Sequence, residues 1–269
     1  MANRTTDKFS SGAPLGLTSL ILIAGSIVLL FFVVLSGVSN SIPLNKTYFM
    51  RADTSTIAGA RATSQWTYFY VCGEGNTNCG KPVPDLPIGY AWIGGTAGVP
   101  ESLVGGFGKH TTSKYYYYMW RFGWVFYLLA LIFDVLGFFA ALLAPCSRLA
   151  SGLSGLIMMA ALFFLSLGAS LMTAVFVKAV KQFKDAGMDA KIGEYALGFT
   201  WGAWAAIFLA TCLLFLGCGL GGRKDTTSTT TRTSGKGNVG FFRRQRSTKS
   251  ARGSIGYDNE SQRRVKEEY

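Results

Sequence analysis

Two cysteines lie close together in the stretch QWTYFYVCGEGNTNC, residues 65–79. Six residues separate Cys72 from Cys79, and such a pair can form a disulfide, ligate a metal or remain as two free thiols. A zinc site is the weakest of these, because zinc takes four ligands and the single histidine, His110, lies about 30 residues further along the chain. The choice between a bridge and free thiols depends on the redox compartment that this stretch faces.

Other residue types that could do chemistry are sparse. One histidine excludes most histidine-based catalytic triads, and residues 105–109 (GGFGK) lack the spacing of a phosphate-binding loop. Asp134 is the only acid inside a long apolar segment, where acids are functional candidates. We therefore expect a protein that is not an enzyme and that uses no cofactor or metal.

Four apolar segments dominate the chain, which is 49% hydrophobic and only 15% charged. About 20 apolar residues span a bilayer as a helix, and only helices or closed barrels satisfy their backbone groups in lipid. The sequence therefore predicts an all-α integral membrane protein, a four-helix bundle with spans at residues 15–38, 120–144, 149–177 and 195–220. A cleaved signal peptide is the alternative for the first segment, but its apolar core exceeds the usual length of about 7–15 residues.

The distribution of charge indicates which ends are cytoplasmic. Residues 221–269 carry twelve Lys/Arg and five Asp/Glu, and a basic, low-hydrophobicity tail of this kind suits the cytoplasmic leaflet as a disordered segment. Residues 1–14 and the turn 145–148 then share that side. The loops 39–119 and 178–194 lie outside, where the sequon at Asn45 is a glycosylation candidate.

This orientation favours a disulfide between Cys72 and Cys79, because exterior compartments are oxidising. The preceding residues 65–72 are rich in β-branched and aromatic side chains, and residues 73–78 supply turn formers. We expect a strand and a tight loop stapled as a hairpin, with about 2.5 kcal/mol of stabilisation from closing the loop.

The pattern of spans, long first loop and W-T-x-x-x-V-C…C resembles the fungal SUR/PalI family of tetraspan plasma-membrane proteins. The residues that carry the resemblance are Trp66, Thr67, Val71, Cys72 and Cys79, and in the aromatic approach to the second span Arg121, Phe122 and Gly123. The architecture is also similar to that of claudins, although the Gly-Leu-Trp before the first claudin cysteine is absent.

The resemblance implies a non-enzymatic organiser of eisosome-associated furrow domains at the plasma membrane, located in cortical patches. It implies support of cell-wall integrity and endocytosis, with eisosome scaffold proteins as partners. One alternative is the PalI-type branch, an accessory of ambient-pH signalling. A second is a small transporter or channel that uses Asp134, which the lack of an internal repeat disfavours.

Several features of the spans predict how the helices pack. Gly198, Gly202, Ala206 and Ala210 form a small-residue stripe, which we expect to seal the bundle internally, with self-association as the alternative. For Asp134 we expect a structural role, with hydrogen bonds from Thr200, Trp201 or the serines of the third span. The aromatic residues at the start of the second span predict a belt at the membrane interface, and these are Tyr115, Tyr116, Tyr117, Tyr118, Trp120, Trp124 and Tyr127.

The remaining candidates concern the cytoplasmic side and the second loop. Cys146 and Cys218 are palmitoylation candidates. In the tail, Arg243, Arg244, Arg246 and Lys249 are candidates for binding anionic lipid, and phosphorylation of Ser247, Thr248 or Ser250 would oppose that binding. Membrane lipids, with sterol or sphingolipid among them, and a second copy of the chain are the expected partners, and nucleic acid is not. Residues 178–194 should extend the third helix, turn at Gly187 and form a solvated cap.

Overall fold

The computed structural model describes residues 13–143 and 148–220 and contains four long helices there. They are α1 (Ala13–Val34), α2 (Lys114–Leu142), α3 (Arg148–Asp185) and α4 (Glu194–Leu220). All four are long and apolar enough to cross a membrane, which confirms the predicted tetraspan fold. The helix ends differ from the expected spans, because α1 stops at Val34, α2 already starts at Lys114, and α3 continues to Asp185.

The helices form a closed bundle in which α1 packs on α2 and α4, and α3 also packs on α2 and α4. Glycines set the close approach of α2 and α3. A Cβ at Gly168 would lie 3.0 Å from the backbone nitrogen of Tyr127, and one at Gly137 would overlap the Met158 side chain. Small residues at helix contacts are what membrane helices use to maximise van der Waals packing.

The buried face of α4 differs from the predicted stripe. Gly198 and Gly202 are exposed and Ala206 is half-buried. The expectation of internal packing is wrong for Gly198, which meets no atom within 4 Å, whereas a Cβ at Gly202 would lie 3.5 Å from the Leu29 side chain of α1. Six buried residues recur at alternating spacings of four and three, a two-turn helical period, and Thr211 is buried beside them; the six are Ala196, Thr200, Ala203, Ile207, Ala210 and Leu214. Ala210 alone is both in the predicted stripe and among these buried residues, because the face of α4 that packs on the other helices is rotated away from Gly198 and Gly202.

A four-stranded antiparallel sheet caps one end of the bundle, and we call this end the sheet side. Its strands are β1 (Met50–Asp53), β2 (Thr63–Trp66), β3 (Val71–Cys72) and β4 (Ala190–Ile192), in the order β3-β2-β1-β4. The turn at Gly187 (φ +79°) is confirmed. The solvated cap is not, because β4 pairs with β1 and completes the sheet.

The connection between β4 and α4 is fixed by Gly193. Its N–H donates to the Phe49 carbonyl at 2.9 Å, and a Cβ at this position would overlap the Tyr48 carbonyl group. The sheet formed largely by the first loop is therefore held directly against the start of the fourth helix.

Candidate functional site: the loop domain and its seat on the bundle

The loop domain, residues 39–113 together with β4, contains the predicted disulfide. Cys72 is bonded to Cys79, which confirms the bridge. The loop that it closes is ordered by a hydrogen bond from Gly73 N–H to the Thr77 carbonyl at 2.7 Å, with Gly75 at φ +66°. The bridge therefore holds a compact turn at the end of β3.

The predicted single strand over residues 65–72 is wrong, because the chain reverses within it. Thr67 and Tyr70 close the reversal between β2 and β3, with Thr67 N–H donating to the Tyr70 carbonyl at 2.9 Å and the Thr67 hydroxyl accepting from Tyr70 N–H at 3.2 Å. The motif threonine is thus a turn residue. Period-two patterning could not locate this turn, since Thr, Tyr and Phe are themselves strand formers.

The motif residue Trp66 packs the sheet against the end of α3. Its side chain is fully buried, and its indole N–H donates to the Ile88 carbonyl at 2.9 Å. The ring lies edge-on to Trp92, with centroids 6.2 Å apart, and 6.0 Å from the ring of Phe183 on α3. One side chain therefore links the sheet, the following loop and a helix.

The chain leaving α1 also packs on the motif. Gly37 has φ +86°, and a Cβ there would lie 2.8 Å from the Thr67 hydroxyl and 3.3 Å from the Cys72 sulfur. Val71 is buried beside them. Glycine is needed because the backbone must adopt a left-handed conformation and approach the disulfide closely.

Tyr68 joins the loop domain to α2 by a reciprocal pair of hydrogen bonds. Its hydroxyl donates to the Trp124 carbonyl at 2.6 Å, and the Trp124 indole N–H donates back to the Tyr68 carbonyl at 3.3 Å. Burial raises the pKa of Tyr68 well above its usual value, so the hydroxyl keeps its proton and remains a donor. Sequence reasoning missed Tyr68, although an aromatic directly after the motif threonine was an available signal.

The second group of residues that carry the resemblance, Arg121, Phe122 and Gly123, lies on α2, and each of the three has a different environment. Arg121 forms an ion pair with Asp85 in the loop, and its guanidinium lies 4.6 Å from the centroid of the Tyr117 ring. Burial raises the pKa of Asp85, while the charge of Arg121 opposes the rise. Phe122 is 53% exposed on the outer surface of the bundle, and Gly123 is buried where α2 meets Met172 of α3.

The expected interface belt is only partly correct. Tyr115 and Tyr118 are exposed, as a belt requires, but Tyr116, Trp120 and Tyr127 are buried in the bundle. The ring centroid of Trp120 lies 4.6 Å from that of Phe176 on α3. Three of the seven aromatic residues therefore pack the helices together, because their spacing follows the helical period and places them on the buried face of α2.

Asp134 is fully buried and accepts a hydrogen bond from the Ser26 hydroxyl of α1 at 2.7 Å. The expected partners are wrong: Thr200 bonds to the Tyr127 hydroxyl at 3.1 Å, and the Trp201 indole donates to Thr173. Within residues 13–143 and 148–220, no group of three His, Cys, Asp or Glu side chains could hold a metal. The Asp134–Ser26 contact joins α2 to α1 and suits a structural link.

The other candidates are placed as follows. Asn45 is half-buried, and the hydroxyl of the sequon's Thr47 is buried and donates to the Pro43 carbonyl at 2.9 Å. Glycosylation of Asn45 stays a prediction. Cys146, the side chain of Cys218 and the whole tail, with its lipid-binding and phosphorylation candidates Arg243, Arg244, Arg246, Lys249, Ser247, Thr248 and Ser250, lie outside the described residues.

Comparison with known proteins decides the family. A model of the SUR7/PalI family matches residues 15–213, a range that includes α2, α3, the loop domain and most of α1 and α4. The chain belongs to the SUR7/PalI family. Of the residues that first indicated the family, Trp66 packs the loop domain on α3 and Arg121 forms an ion pair with Asp85 of the loop domain, whereas Phe122 faces outwards.

Three relatives illustrate the family. Protein SUR7 of Candida albicans is 37% identical over 203 residues, 74% of this chain and 72% of that protein. The SUR7 family protein FMP45 of Saccharomyces cerevisiae is 31% identical over 70% of this chain, and the plasma membrane protein YNL194C of the same yeast is 26% identical over 68%. The match spans less than two thirds of these two yeast proteins, 63% and 61% of their lengths.

Proposed function

We propose that this SUR7/PalI protein is a non-enzymatic organiser of a plasma-membrane subdomain of the eisosome-associated furrow type. The observation that carries the proposal is the seating of the loop domain, which is bonded to α2 through Tyr68 and packed on α3 through Trp66. A loop domain fixed to the helices in this way keeps its exposed surface in one position relative to the membrane spans, which suits a protein that organises its surroundings. The plasma membrane protein among its relatives supports the location.

In this proposal the sheet side faces the exterior and the basic tail faces the cytoplasm. The disulfide between Cys72 and Cys79 supports this orientation, because such bonds persist in oxidising compartments. The tail would hold anionic lipid and eisosome scaffold proteins on the inner face, and the loop domain would face the cell wall. Support of wall integrity and endocytosis would follow from patch organisation.

Self-association is part of the same proposal. Gly198 and Gly202 lie on the outer surface of α4, and no atom would meet a Cβ at Gly198 within 4 Å. Small outward-facing residues allow a helix of a second copy to approach closely.

The test is the distribution of a fluorescent fusion in living cells. Static cortical patches are the expected result, and a diffuse or endosomal pattern would refute the organiser role. Asp134→Asn separates the organiser from a transporter, because the amide can still accept the Ser26 hydrogen bond while losing the ionisable group. Patches should persist in this variant, whereas a transporter would lose its flux.

A further inference from the structure

An open groove of about 640 Å³ lies on the sheet side, between the sheet, the end of α3 and the start of α4. Four cationic side chains line it: Lys46, Arg51, Lys184 and Lys191. The carboxylates in its lining are Glu74 and Glu194. The lining of the groove therefore carries a net positive charge, and its charged residues come from separate parts of the chain.

The strand register brings two of these cations together. Arg51 of β1 lies directly opposite Lys191 of β4, and like charges in opposed strand positions repel one another. Glu74 balances Arg51 through an ion pair of 2.9 Å. Within the part of the chain that the structure describes, Lys184 and Lys191 have no carboxylate within ion-pair distance.

The groove also contains an unpaired acceptor. The Oδ1 atom of Asn45 is buried and has no hydrogen-bond partner among the described residues. A buried polar atom without a partner is costly, so a ligand hydroxyl that donated to it would be favoured. The combination of cations with a lone acceptor matches a phosphate that carries hydroxyl groups.

The position of the groove indicates a ligand that is held in the membrane. The groove reaches Glu194 and Tyr195, the first residues of the α4 span. On α3, the outward-facing Val177 is followed seven residues later by Lys184, which places Lys184 about 10 Å further along the helix axis at 1.5 Å per residue. With the third span ending at residue 177 as expected from the sequence, Lys184 lies at the outer edge of the headgroup layer, which is about 5–8 Å thick on each side of the hydrocarbon.

We propose that this groove binds the phosphorylated, hydroxyl-bearing headgroup of an anionic lipid in the leaflet on the sheet side. The phosphate lies between Lys184 and Lys191, and a headgroup hydroxyl donates to Asn45. The site is separate from the lipid-binding candidates of the tail. It also goes beyond the organiser role, because the sheet side would itself select a lipid class.

The test measures binding of short-chain dioctanoyl phosphatidylinositol to the purified full-length protein in a neutral detergent. All proteins carry Arg243, Arg244, Arg246 and Lys249 replaced by glutamine, so that the tail's lipid-binding candidates are absent from every sample and the rest of the tail is the same in all of them. The groove variant is Lys184→Gln with Lys191→Gln, two exposed positions. The control is Lys81→Gln with Lys178→Gln, which removes the same charge from the sheet side without touching the groove.

The expected result is saturable binding that the groove variant weakens by up to about 30-fold at low salt, since each exposed ion pair between a Lys and the phosphate contributes up to about 1 kcal/mol. The control variant should bind as the unaltered groove does, and dioctanoyl phosphatidylcholine should not compete. Equal weakening in both variants would overturn the proposal. Free inositol 1-phosphate binding as tightly as the lipid would also overturn it, because the ligand would then be a soluble phosphate.

Discussion

Replacing Trp66 by phenylalanine should loosen the loop domain from the bundle. The substitution removes the indole N–H, which leaves the Ile88 carbonyl unpaired in a fully buried site. A buried polar group left without its partner costs about 1–3 kcal/mol. The smaller ring also leaves a void beside Trp92 and Phe183, so a total loss of about 2–4 kcal/mol follows.

For a domain of about 150–250 residues, this loss lowers the melting temperature by roughly 5–15 °C. The assay is trypsin cleavage after Arg61, an exposed loop-domain site, as the purified protein is heated in detergent. Trp201→Phe is the matched control, because it also removes an indole hydrogen bond, to Thr173, but at a position that is 40% exposed on α4, so the midpoint should shift by no more than about 2 °C. Equal shifts in the two variants would refute the account of Trp66 as the link between sheet and helix.

Three further predictions concern the seat of the loop domain. Gly193→Ala should prevent the sheet from meeting α4 and reduce the yield of folded protein, whereas Gly198→Ala, which meets no atom within 4 Å, should leave it unchanged. Arg121→Gln should lower the free energy of unfolding by about 0.5–1 kcal/mol at neutral pH. This loss should vanish in acid once Asp85 is protonated, because the attraction to Arg121 needs the ionised carboxylate. Cys79→Ser should cost about 2.5 kcal/mol, measured as earlier trypsin cleavage of the loop domain on heating.

Specific outcomes would contradict these predictions. Equal yields for the two glycine variants would show that the β4–α4 connection tolerates a side chain. A loss of unfolding free energy in Arg121→Gln that is constant from pH 7 to pH 3 would show that the ion pair with Asp85 contributes nothing, since burial raises the pKa of Asp85 and protonation should weaken the attraction towards the acid end of this range. An unchanged cleavage profile for Cys79→Ser would show that other contacts suffice to hold the loop.

Features that depend on the length of a segment or on local chemistry were predicted correctly from the sequence. The four spans follow from apolar length, and the turn at Gly187 follows from glycine's tolerance of positive φ. The bridge from Cys72 to Cys79 followed from the spacing and the expected compartment. The spans and the turn needed only neighbouring residues, whereas the bridge also needed the orientation inferred from the charge of the tail.

Features that depend on distant residues could not be predicted from the sequence. β4 has three residues, too few for a periodic signal, and it is a strand only because β1 offers an open edge. The partner of Asp134 is Ser26, 108 positions away, and which helix faces it is set by the packing of the whole bundle. The outward orientation of Gly198 has the same origin, because composition alone does not reveal which side of an apolar helix meets lipid.

The sidedness of the loop domain is the central claim, and cysteine labelling on intact cells tests it most directly. Single cysteines would be placed at Ser55, an exposed loop-domain residue, and at Ser247 in the tail, in a chain with Cys146, Cys212 and Cys218 replaced by serine. A membrane-impermeant maleimide should label position 55 on intact cells and position 247 only after permeabilisation. Labelling of the tail position on intact cells, with position 55 protected, would contradict the account.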